Sequence, residues 1–156
     1  MTTRPRAILT NQGCLELIAP ALEHFEIDST IVEDKEAALA MHIDEPFDIA
    51  IGLPCPELCA MKRVNSDTIL IATSSWLLDP WARPHLKQVV RHFDSHLILP
   101  FSYSELVATI ERGAAVTGRQ DVRSHIMRAV GRKVVRRDPW PTCQRFNGNG
   151  KLVRIY

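Results

Sequence analysis

Five times between residues 7 and 115 a short apolar run is followed by a stretch with helical spacing. The runs are Ala7–Thr10, Ile27–Val32, Phe47–Leu53, Thr68–Thr73 and His96–Leu99. They are apolar continuously rather than alternately, so strands built from them are buried on both faces. Strands of that kind alternating with helices form a parallel sheet covered on both sides. Right-handed crossovers then give an open, doubly wound five-stranded α/β sandwich of flavodoxin-like strand order. The chain is 46% hydrophobic but only 6% aromatic, so its core must rest on Leu, Ile, Val and Ala.

The intervening helices carry their own signals. From Cys14 to Phe25 the residues Leu15, Ile18, Leu22 and Phe25 recur at helical spacing, with Pro20 implying a kink or a late start. Asp34 can cap a helix through Met41. Residues 55–66 read as irregular chain or a short helix. Asp79-Pro80 is a cap followed by proline, opening a helix to about Phe93. Ser102-Tyr-Ser-Glu105 is a capping box, opening a helix to about Ala115.

Charge divides the chain. Residues 1–112 hold 9 Lys/Arg against 16 Asp/Glu, a net −7, and residues 113–156 hold 10 against 2, a net +8. The reading is therefore a body over 1–115 and a basic C-terminal extension over 116–156. In the extension, Asp121–Val130 reads as a short helix with Val122, Ile126 and Val130 on one side and Gly131 as its stop. The basic stretch Gly131–Arg137 and the turn Asp138-Pro-Trp-Pro141 follow. Asn147-Gly-Asn-Gly150 signals a hairpin between Phe146 and Leu152–Tyr156.

Several functions lack their sequence marks. The chain has no long apolar run and no secretory leader, which places it in the cytoplasm and away from membranes. It has no glycine-rich phosphate loop and no G-x-S-x-G. Cys14, Cys55, Cys59 and Cys143 match no disulfide framework. Cys55 and Cys59 could enter a metal site only with further ligands such as His42 or His85, and reduced thiols are the simpler reading. No metal and no cofactor is expected.

Within residues 5–115 the chain resembles the receiver domain of two-component response regulators. Leu99-Pro100-Phe101 followed by Ser-Tyr-Ser-Glu-Leu106 is similar to the Lys-Pro-Phe and capped last helix of that family. Phe47-Asp-Ile-Ala-Ile51 resembles its third strand, and Ile69-Leu-Ile-Ala-Thr73-Ser74 its fourth, which ends in a switch Thr or Ser. His96 falls roughly where receivers carry an aromatic switch residue. The resemblance also implies what is missing. The two metal-holding acids after the first strand are replaced in Thr10-Asn11-Gln12. The phosphoacceptor aspartate is replaced by Gly52 or Leu53, depending on whether Pro56 or Asp48 sets the count. The lysine is replaced by Leu99, and Thr73 is the one role retained. Phosphoryl transfer to a carboxylate needs a nucleophile, a cation and ligands for that cation, so three absent roles imply a pseudo-receiver without catalysis.

Such a domain works by binding. The resemblance implies pairing through the surface of residues 79–115, where Trp81, Pro100 and Phe101 fall. Trp76 and Trp81, near the fourth-strand loop, either anchor a partner or fill the vacated pocket. In the extension, Arg132, Lys133, Arg136, Arg137 and Trp140 suit an acidic protein surface, the same chain's or another's. The expected partner is protein, including a homodimer. The alternative is DNA or RNA held by the basic extension. An enzyme built on the same sheet is a third class, which fold alone does not exclude.

Overall fold

The structure, a computed structural model, describes residues 4–11, 15–75, 91–136, 144–146 and 152–154. The five expected strands are present as β1 (Arg6–Thr10), β2 (Asp28–Ile31), β3 (Ile49–Gly52), β4 (Ile69–Ser75) and β5 (Ser95–Leu99). All pair in parallel, in the order β2-β1-β3-β4-β5, which is the doubly wound order expected. Between them lie α1 (Leu15–His24), α2 (Lys35–Asp44) and α3 (Pro56–Val64), and α4 (Tyr103–Thr117) follows β5. Most of the helix expected over 79–93 lies outside the described residues. Phe93, at its end, is buried on the α2/α3 side of the sheet.

Strand alternation sends odd and even positions to two separate cores. Ala7, Leu9, Ile49, Ile51, Ile69, Ile71, Leu97 and Leu99 pack with α1 and α4. Ile8, Ala50, Leu70 and Ala72 pack with Ala38 of α2 and with Leu58 and Met61 of α3. β2 departs from expectation, because as an edge strand it leaves Asp28 and Ile31 exposed.

Local chemistry fixes the helix ends. α1 runs through Pro20 from Leu15. The Asp34 carboxylate accepts the Glu36 N–H at 3.2 Å. The Ser102–Glu105 capping box forms reciprocally, and Gly118 closes α4 at φ 74°, a left-handed conformation that glycine adopts without Cβ strain.

The extension does not begin as an appendage. A fifth helix, α5, spans Gln120–Arg136, longer than the Asp121–Val130 expected. Gly131 does not stop it, since glycine permits a helix end without requiring one. Val122, Ile126 and Ala129 are fully buried in the α1/α4 core, so that core continues beyond residue 115. His125 Nε2 donates to the Glu26 and Phe25 carbonyls at 2.9 and 3.2 Å. Arg119 pins the start of the helix: it donates to Asp48 at 2.6 Å, to the Asp67 carbonyl at 2.9 Å and to Asp121 at 3.0 Å. The Arg119 guanidinium holds the Asp121 carboxyl below its ordinary range. Further on, β6 (Gln144–Phe146) pairs antiparallel with β7 (Leu152–Arg154), the strands of the hairpin signalled by Asn147–Gly150. Among the described residues no helix is long and apolar enough to cross a membrane.

On the inner face of α2, His42 is fully buried and stacked on Phe47. Its Nδ1 accepts the Phe47 N–H at 3.0 Å and its Nε2 donates to the Met61 carbonyl at 3.1 Å. That arrangement requires the neutral ring, and burial holds its pKa below the ordinary 6.5. The His96 imidazole is lowered by burial too.

Two outcomes follow. Ile126→Ala should lower the unfolding free energy by about 2–5 kcal/mol through a core cavity, read as a shift in urea midpoint. The pH dependence has a definite sign. Below 6.5 the unfolded chain takes up protons that the folded histidines refuse, so stability is complete above that pH and falls as pH drops through the window beneath it. One proton per histidine caps the slope at about 1.4 kcal/mol per pH unit for each. Urea titrations between neutrality and mild acid should show a shallower slope for His42→Gln, with the His96 share remaining.

Candidate functional site

Open parallel sheets expose their functional crevice at the carboxyl ends of the strands. Thr10, Gly52 and Leu99 end β1, β3 and β5, while Asn11 and Leu53 are the next residues beyond their strands. Thr73 lies two residues before the end of β4. The six residues expected to form a degenerate pocket therefore share one edge, but they do not share one face. Leu99 turns into the α1/α4 core, whereas the space beside Gly52 is bounded by Leu58 of α3. Strand parity enforces this separation.

Gly52 is the tightest point. It pairs in register with Thr10, and a Cβ added there would overlap the Thr10 carbonyl oxygen and come within 3.1 Å of Leu58 Cδ1. Backbone cannot yield as a flexible side chain does, so the strand end closes around a residue without a side chain. Next to it, the Asn11 carboxamide donates to the Leu53 carbonyl at 3.2 Å, tying the loop after β1 to the loop after β3. Asn11 adopts φ 58°, which asparagine tolerates better than most residues. The Thr10 hydroxyl is fully buried and has no hydrogen-bond partner among the described residues. Glu57, in the first turn of α3, is a carboxylate that the sequence reading passed over. It lies 3.7 Å from Lys35, and one of its oxygens is buried without a hydrogen bond among the described residues. Among the described residues no three His, Cys, Asp or Glu side chains converge as a metal would require.

One pairing was half legible in the sequence. Ser74 Oγ lies 2.7 Å from His96 Nε2, and Ser74 is buried. The hydroxyl that meets the fifth-strand histidine is thus Ser74, not Thr73, which is register partner to Leu97. The register of β4 and β5 puts Ser74 and His96 on the same face of neighbouring strands, which residue types alone do not reveal.

Elsewhere, Pro100 follows a cis peptide bond and is exposed, and Phe101 packs half-buried against the α1/α4 core. Arg132, Lys133 and Arg136 fall in the last turns of α5. Trp76, Trp81, Arg137 and Trp140 lie outside the described residues. Burial raises the thiol pKa of both Cys55 and Cys59, which favours the protonated form.

No family model matches the chain, and no curated protein matches it. Solved structures do. The signal receiver domain of an HD domain-containing protein from Pseudomonas fluorescens superposes with a TM-score of 0.62 at 17% identity, over 79% of this chain and 96% of that one. The fold is the receiver fold. The receiver domain of sensor histidine kinase PA1611 from Pseudomonas aeruginosa, solved with magnesium in its active site cleft, gives 0.58 at 16%, over 72% and 99%. NtrX from Brucella abortus gives 0.61 at 13% over 76% of this chain, which spans only 29% of NtrX.

The closed strand end yields a direct test. Gly52→Ala should cost about 3 kcal/mol through overpacking against the Thr10 carbonyl, lowering the urea midpoint with little change in slope.

Proposed function

We propose that this chain is a signalling or regulatory domain of receiver fold that is not phosphorylated and that acts by binding protein, its own copies included, without catalysis. One observation carries the reading: β3 ends in Gly52, wedged against the Thr10 carbonyl, where a phosphoacceptor side chain would have to project. Neighbouring residues support it. The Asn11 carboxamide is neutral and already committed to Leu53, and Leu99 sits in the core where a cationic side chain would be unpaired. A phosphoryl group at this edge would meet neither a nucleophile nor a cation among these residues.

A second reading rests on a different observation. Residues 122–137 hold six Lys/Arg and no Asp/Glu, a composition that suits phosphate contacts with DNA or RNA. Binding of that kind would weaken steeply with salt.

Incubation with acetyl phosphate and Mg²⁺, followed by intact-mass measurement, should leave the mass unchanged. A gain of one phosphate, mapped to the segment around Gly52 and Leu53, would overturn the reading.

A further inference from the structure

Two patches of opposite charge stand on opposite faces of the sheet, each on the outer side of a docked helix. On α2, Ala38 and His42 are buried, and the residues turned away from them are Glu36, Ala40, Ile43 and Asp44, at i, i+4, i+7 and i+8. Ile43 is 58% exposed, an apolar group set between two carboxylates. On α5, Val122, Ile126 and Ala129 are buried, and the exposed residues are Arg123, Met127, Arg128 and Gly131. Met127 is 52% exposed, an apolar group set between two guanidiniums. None of these four charged side chains has an ion pair among the described residues.

We infer that the outer face of α5 docks on the outer face of α2 of a second copy. The faces match in kind: Met127 meets Ile43 while Arg123 and Arg128 meet Glu36 and Asp44. Nucleic acid fits this patch less well, because an exposed methionine at its centre wants an apolar counterpart and Ile43 supplies one. The contact cannot close within one molecule, since α2 packs with α3 on one face of the sheet and α5 packs with α1 and α4 on the other. It is therefore heterologous, joining copies head to tail. Charge beyond the patch runs the same way: Glu33, Asp34 and Glu45 flank α2, and Arg132, Lys133 and Arg136 continue α5. Two bases beside the acidic patch have carboxylate partners outside it: Lys35 lies 3.7 Å from Glu57, and Arg6 3.2 Å from Glu45. The inference rests on the protein-binding reading above and names its partner.

Sedimentation velocity on the full chain tests it, with a readout independent of the phosphorylation assay. Concentration-dependent association is expected at low salt, weakening about tenfold or more by about 0.5 M NaCl. Arg123→Glu with Arg128→Glu should abolish it, as should Glu36→Lys with Asp44→Lys, each with an unchanged melting temperature. An equimolar mixture of the two variants should associate again, because the reversed faces complement each other. A chain monomeric at low salt, association indifferent to both reversals, or a mixture that fails to recover would overturn it. So would a monomeric chain that binds a short DNA duplex and loses that binding on Arg123→Glu with Arg128→Glu.

Discussion

A parallel sheet with apolar residues on both faces is stable only when both faces are covered, and the architecture answers that demand. Ile8, Leu9, Ile49, Ala50, Ile51 and Ile69 to Ala72 have no accessible surface. Burying an aliphatic side chain of this size contributes about 1.5–3 kcal/mol relative to exposure. The α2/α3 layer covers one side. On the other, α1 and α4 need a further helix, and α5 supplies Val122, Ile126 and Ala129. A segment whose composition reads as a solvated basic extension thereby joins the body.

The start of α5 is held by polar contacts that no periodicity would announce. Arg119 reaches 71 residues back to Asp48, whose other carboxylate oxygen accepts the Arg6 N–H at 2.8 Å. One carboxylate thus joins the first turn of α5 to the entry of β1. Arg119 is mostly buried, so its ion pairs are less screened than those of a surface arginine. The long exposed pairs, such as Arg4 with Glu26 at 3.8 Å, contribute little by comparison.

Closure at the strand ends and openness at the helix faces point the same way. Where β1 and β3 meet, backbone and Leu58 fill the space beside Gly52 and the Asn11 carboxamide bridges the loops. Chemistry needs room and charge at that edge. Exposed apolar surface and, among the described residues, unpaired charge lie instead on the outer faces of α2 and α5.

The sequence by itself determined the sheet and the capped helices, because these follow from local periodicity and capping residues. It also placed Thr73-Ser74 at the end of the fourth strand and His96 in the fifth. Only tertiary structure decided that Ser74 rather than Thr73 meets His96, since that depends on inter-strand register. It decided that Leu99 and Gly52 face opposite ways, since parity matters only once a register exists. It decided that α5 belongs to the body, because the burial of Val122, Ile126 and Ala129 and the reach of Arg119 to Asp48 are contacts between residues far apart in the chain.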